Sequence, residues 1–199
     1  MITEVQRWFN DGGDDKFRYT YDLNKDSVVF DVGGYQGKWS SKINEIYGCK
    51  IYIFEPIKEY YDKLLTKFIN NENIEVFNFG LSNCDGDSII NLLDDGSSVY
   101  VDGGKKENIK LKNIISFINE KEIKNIDLLK LNVEGEEYNI MESLIKENYL
   151  YKIKNFQIQF HNFIPNCEHL RKEIRNKLTE THNEIYCYEF VWESWGLKK

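Results

Sequence analysis

At 199 residues, with 41% hydrophobic and 15% aromatic content, the chain is long enough for one substantial core; a single domain over residues 1–199 is expected, with residues 1–26 as a short N-terminal extension. A formal net charge of -7 argues against a nucleic-acid partner, because holding phosphates takes a basic surface. No apolar stretch approaches the roughly 20 residues that span a bilayer, so no transmembrane segment is expected either.

Short apolar runs alternate with helical stretches, the pattern of an α/β fold with a doubly wound, mostly parallel sheet covered on both faces. Residues 27–32 (SVVFDV) read as the first strand, a continuous apolar run closed by glycine. A helix over 39–46 follows. Residues 50–56 (KIYIFEP) read as strand two, with Pro56 in the first turn of a helix whose apolar positions Ile57, Tyr60, Tyr61, Leu64, Leu65 and Phe68 share one face. Strand three covers 73–79 (NIEVFNF). From 82 to 111, short alternating runs broken by NCDGD, DDGSS and DGGKK predict antiparallel hairpins and loops beside the main sheet. A helix over 113–121 leads to strand four at 126–133 (IDLLKLNV), then a helix over 136–146. Strand five is 156–161 (FQIQFH), residues 168–181 are helical, and IYCYEFVWESWGL at 185–197 supplies one or two closing antiparallel strands, read as a hairpin.

Cys49, Cys84, Cys167 and Cys187 lie far apart, without CxxC or Cys/His spacing, so neither zinc nor a disulfide frame is indicated and no metal is expected. A reducing, cytoplasmic setting is expected, since the start MITEVQRWFN lacks the basic and apolar regions of a signal peptide.

In an open α/β sheet, ligands sit beyond the carboxyl ends of the strands. Four informative segments fall there: DVGGYQG after strand one, FEP after strand two, LNVEGEE after strand four and QFH after strand five. Glycines let the chain turn tightly and bring bare backbone to a ligand, and amides at the next helix start can meet a carboxylate or phosphate. Glu55 follows Gly33 by 22 positions, close to the spacing of about 20 at which an acid receives ribose hydroxyls. An adenosine-containing ligand is predicted. A nicotinamide dinucleotide calls for GxGxxG, and Val32 stands where its first glycine is required. Asp31 beside the glycines would repel a pyrophosphate and suit a cation.

The arrangement Asp31-x-Gly33-x-x-x-Gly37 resembles the S-adenosylmethionine loop of class I methyltransferases, and the longer match is to the FkbM family. VVFDVGGYQGKWS is similar to that family's opening FDVGAnxG motif, IFEP to its acidic strand end, FGLSNCDG to its "aLS...G" segment, and IDLLKLNVEGEEYNIM to its IDLLKIDVEGaE motif. The match runs from about 27 to 161. It implies a Rossmann-like class I methyltransferase fold, S-adenosylmethionine as cofactor, and O-methylation of a sugar hydroxyl in a surface glycan or of a secondary metabolite. The acceptor is then a small molecule or glycan; between monomer and homodimer the sequence leaves the oligomeric state open. Gly34 stands where the family usually has alanine, and Asn132 where it usually has aspartate, an exchange that removes a base or hard-cation ligand.

Cofactor contacts are expected from Asp31, Gly33, Gly34, Tyr35, Gly37, Glu55, Leu81, Ser82 and Asn132. Asn132 and Glu134 would position the methyl end or the acceptor, and His161, a group that titrates near neutrality at a strand end, is the expected base. Each has a plainer reading: Asp31 as a structural hydrogen-bond partner, Glu55 and Glu134 as helix-start acids, His161 as a core histidine. Lys130 interrupts a buried strand and has no assigned role. Ser97 and Ser98 line the mouth or cap a turn. His169 and His182 read as surface residues, and Trp192 and Trp195 as aromatic core or as a stacking surface for an acceptor. Two rival functions are a non-catalytic adenosyl-binding module and an NAD-dependent oxidoreductase.

Overall fold

The computed structural model describes residues 2–92 and 105–199, so Ser97, Ser98 and the DDGSS segment lie outside the described residues. In chain order the elements are α1 (Glu4–Asn10), α2 (Gly13–Lys16), β1 (Val28–Val32), α3 (Lys38–Tyr47), β2 (Lys50–Phe54), α4 (Lys58–Phe68), β3 (Ile74–Phe77) and β4 (Gly80–Ser82). There follow β5 (Gly86–Leu92), β6 (Lys105–Asn113), α5 (Ile114–Glu120), β7 (Leu128–Leu131), α6 (Glu137–Lys146), β8 (Asn155–Ile158), α7 (Cys167–Thr181), β9 (His182–Tyr188) and β10 (Trp192–Leu197).

Seven strands form the main sheet in the order β3-β2-β1-β7-β8-β10-β9. The first five run parallel, and β10 then pairs antiparallel with both β8 and β9. This is the doubly wound, mostly parallel sheet with a closing hairpin that the sequence predicts. Period-two alternation sends each strand's side chains to two faces. Phe30, Val32, Phe54, Leu129, Leu131 and Ile158 pack with α5, α6 and α7 on one side. Val29, Ile51, Ile53 and Leu128 pack with Trp39, Ile43 and Leu64 on the other. Strands buried on both faces need apolar runs rather than alternation, which is what VVF, IYIF and LL supply.

Outside this sheet, β5 and β6 form the expected antiparallel pair, while β4 joins β6 in parallel, a long-range pairing that local turn signals do not reveal. Pro56 lies outside α4: Ile57 is the N-cap, and the carboxylate of Glu55 accepts its amide at 3.0 Å. Strand four is shorter than read, covering Leu128–Leu131 without residues 126–127 or 132–133.

The expectation that His182 is a surface residue is corrected. Its ring is buried, donates from Nε2 to the Ile153 carbonyl at 2.8 Å and accepts at Nδ1 from the Thr181 hydroxyl at 2.7 Å. His169 is exposed as expected. Trp192 and Trp195 are buried and belong to the core rather than to a stacking surface. Among the described residues no helix is long and apolar enough to cross a membrane.

Candidate active site

The turn after β1 is shaped by what its glycines lack. Gly33 has φ +84°, and a Cβ there would lie 2.0 Å from the carbonyl oxygen of Asn132. The turns after β1 and β7 therefore touch backbone to backbone. The amides of Gly33 and Gly34 both donate to the Phe54 carbonyl, at 3.0 and 3.2 Å, which binds the turn to the end of β2. Gly37, at φ +67°, lets α4 pack close: an added Cβ would meet Leu64 Cδ2 at 2.6 Å and Phe68 Cε2 at 2.7 Å. Gly34 is not a spare loop glycine either, because a Cβ there would lie 2.2 Å from Ile53 Cγ2.

Between them Tyr35 holds a left-handed φ of +47°, unusual for a bulky residue, with its ring half exposed and edge-on to Tyr60 at 4.6 Å. Its amide donates to Glu55 Oε2 at 2.8 Å. Glu55 is buried, and burial pushes its carboxyl up to about 7 against the pull of the Ile57 and Tyr35 amides. Each of its oxygens takes one of these amides, and a carboxylate oxygen has a second lone pair for a further donor.

The second loop, after β7, carries Asn132, Glu134 and Gly135. Asn132 Oδ1 is shut off from solvent and has no hydrogen-bond partner among the described residues. An unpaired buried acceptor costs about 1–3 kcal/mol, so a donor from a ligand would relieve it. Glu134 is left-handed at φ +52°, and its Oε2 stands 3.4 Å from Nε2 of His161. The other ring nitrogen lies 3.1 Å from Oε1 of the fully buried Glu137, which also accepts the His161 amide at 2.8 Å. Burial opposes charge on this ring, but the hydrogen bonds and charges of Glu134 and Glu137 outweigh it and push the pKa up to about 9. A shift in this direction favours the protonated ring, which donates to the two carboxylates.

Asp31 stands at the turn, but its carboxylate is committed within the protein. Oδ1 accepts from Lys130 Nζ at 2.8 Å and Oδ2 from the Ser40 hydroxyl at 2.5 Å, all three groups being buried. The Asp31–Lys130 pair is neutral overall, so Asp31 meets the turn in company with Lys130 and Ser40 rather than as a lone negative charge. Leu81 is core, and the Ser82 hydroxyl donates to Glu136 Oε1. The structure thus brings together Gly33 with Asn132, Tyr35 with Glu55, and Glu134 with His161.

The sequence assigns no role to Lys130 and does not single out Glu137. A signal for the first was present: one charged residue in each of two apolar strands, Asp31 in VVFDV and Lys130 in LLKL. Glu137 had none, since a buried first-turn acid looks in sequence like a solvated one.

The fold resembles a candidate rRNA methylase from Clostridium thermocellum (TM-score 0.58, 6% identity, covering 100% of this chain and 98% of that one). It also resembles the fibrillarin pre-rRNA processing protein of Methanococcus jannaschii (0.53, 16%, 89% and 69%). A third similar structure is Aeropyrum pernix fibrillarin with natively bound S-adenosyl-L-methionine (0.51, 12%, 88% and 67%). At such identities these likenesses speak for the fold. A search of curated proteins finds no match. The family description "Methyltransferase FkbM domain" matches residues 31–182, the greater part of the sequence, and the chain belongs to the FkbM family of methyltransferases.

Proposed function

We propose that this methyltransferase binds S-adenosylmethionine across the turns after β1 and β7 and methylates an oxygen, in a sugar hydroxyl of a surface glycan or in a secondary metabolite. The observation that carries the reading is the meeting of the bare Gly33 turn with Asn132, whose Oδ1 is buried and without a protein donor among the described residues. The residues present fit the cofactor. Glu55 would accept ribose hydroxyls through its second lone pairs, Asn132 Oδ1 an N–H of the ammonium, and the backbone near Leu81 and Ser82 would meet adenine. When bound, S-adenosylmethionine supplies an activated methyl group on a sulfonium. Family membership leaves the NAD-dependent reading without support.

Methyl transfer needs alignment and a place for the acceptor's proton. With His161 protonated at neutral pH, Glu134 is the group to receive that proton and His161 the one that holds the carboxylate in position. The net charge of -7 supports a neutral or small acceptor over RNA. One domain over residues 1–199 is part of the same proposal.

Titration calorimetry tests the cofactor: S-adenosylmethionine should bind and NAD should not. Labelled methyl donor incubated with polysaccharide and lipid-linked sugar fractions tests the acceptor. With the acceptor in hand and S-adenosylmethionine saturating at every pH, turnover should stay level through neutral pH and fall as His161 loses its proton near 9. Turnover that instead rises up to about 9 would return the base role to His161. Absence of any binding of the donor would end the proposal.

A further inference from the structure

We infer that Lys130 is a positioning residue for the cofactor turn, holding the Gly33 carbonyl from beneath the sheet edge. The inference rests on reading that turn as the S-adenosylmethionine site.

Asp31 and Lys130 are register partners on adjacent parallel strands, and the polar row continues through Gln157 on β8 and Ser194 on β10. These groups are buried on a face whose other positions are Val29, Ile51, Ile53 and Leu128. Burying a lysine and an aspartate this way is expensive in desolvation, and a hydrophobic pair of similar volume is often as stable or more so. Stability alone therefore does not account for the ammonium.

Its three hydrogens do. Nζ donates to Asp31 Oδ1 at 2.8 Å, to the Gly33 carbonyl at 2.8 Å and, more weakly, to the Val32 carbonyl at 3.5 Å. Gly33 is thus held at both of its backbone polar groups, its N–H on the Phe54 carbonyl and its C=O on Lys130. Downstream, the Tyr35 amide reaches Glu55 and Ser40 of α3 returns to Asp31, so the ammonium fixes the path from β1 to the ribose acid and the following helix. Without it, the Gly33 carbonyl loses its donor and only the Gly33 and Gly34 amides on Phe54 still tie down the turn.

Lys130→Met alone strands a buried carboxylate and is expected to unfold the protein. The informative variant is Lys130→Met with Asp31→Asn, which removes both charges and should melt within a few degrees of wild type. Its affinity for S-adenosylhomocysteine by calorimetry should fall roughly tenfold below that of Asp31→Asn alone, where the amine, even uncharged, still donates to Gly33. Amide exchange at Gly34 and Tyr35 in the ligand-free double variant should quicken. A double variant with the affinity and exchange of Asp31→Asn would overturn the inference and leave Lys130 a mere counter-ion. If wild type binds no S-adenosylhomocysteine, the site reading fails, and exchange at the two amides still decides whether Lys130 holds the turn.

Discussion

Glu55 illustrates how burial sets the working range of a single carboxyl group. Desolvation pushes it up to about 7, so it is mostly neutral at pH 6 and mostly ionised at pH 8. The sign follows: an acid whose folded pKa is raised disfavours the folded state as pH climbs from its unfolded value through 7, whereas ribose hydroxyls are received best by the ionised form. S-adenosylmethionine should therefore bind about tenfold more tightly at pH 8 than at pH 6, as the ionised fraction dictates. Glu55→Gln should flatten that dependence and weaken binding by about 10-fold or more, a charged hydrogen bond contributing about 1.5–3 kcal/mol. Calorimetry across pH 6 to 8 checks both. The position of Glu55 was legible from its spacing behind Gly33, but its shifted pKa was not, because burial depends on Ile57, Asn78 and the turn closing around it. Lys130 was opaque for a related reason: its partner stands 99 positions away, and only strand register joins them.

The loop after β1 is the element on which the site depends, and its two neighbouring glycines are replaceable to different degrees. At Gly33 an alanine meets backbone, the Asn132 carbonyl at 2.0 Å, in a left-handed conformation that costs about 1–2 kcal/mol on its own. Nothing nearby can yield, so Gly33→Ala should abolish cofactor binding and lower the melting temperature. At Gly34 the obstacle is Ile53 Cγ2 at 2.2 Å, the branch of a fully buried side chain. Gly34→Ala should destabilise by about 1–3 kcal/mol, the usual cost of overpacking, and Ile53→Leu, which moves the branch off Cβ, should restore most of it. Thermal melts of the three variants with and without S-adenosylmethionine distinguish a packing loss from a site loss. The strands and helices themselves were legible, since VVF, IYIF and LLKL are apolar runs and the helices carry one apolar stripe. The parallel pairing of β4 with β6 was not, because the local turn residues between 82 and 111 describe hairpins and say nothing of distant partners.

Across the whole molecule, the feature least legible in the sequence is at the start of the chain. Residues read as an extension form α1 and α2, and Trp8 is buried against Phe17, Tyr186 and Tyr188, with ring centroids 5.2 to 5.9 Å apart. Gly13 lies directly under the indole, where a Cβ would meet Trp8 Cδ2 at 2.1 Å, and the indole N–H donates to Asp14 at 3.1 Å. Nothing local announces this cluster, since its aromatic partners are near opposite ends of the sequence. It covers β9, the strand at the far edge of the sheet, separated from β1 by β7, β8 and β10. By packing its indole on Tyr186 and Tyr188, α1 anchors an edge strand of the sheet through side-chain burial. Trp8→Ala removes a fully buried indole and should cost about 3–5 kcal/mol, lowering the melting temperature by on the order of 10 °C. Because three strands stand between that edge and the glycine turn, S-adenosylmethionine affinity of the folded variant should stay within about twofold of wild type, in keeping with the independence of distant sites. A variant that keeps its melting temperature would show that the N-terminal helices carry no stability; one that melts normally but loses the cofactor would show that they reach the site.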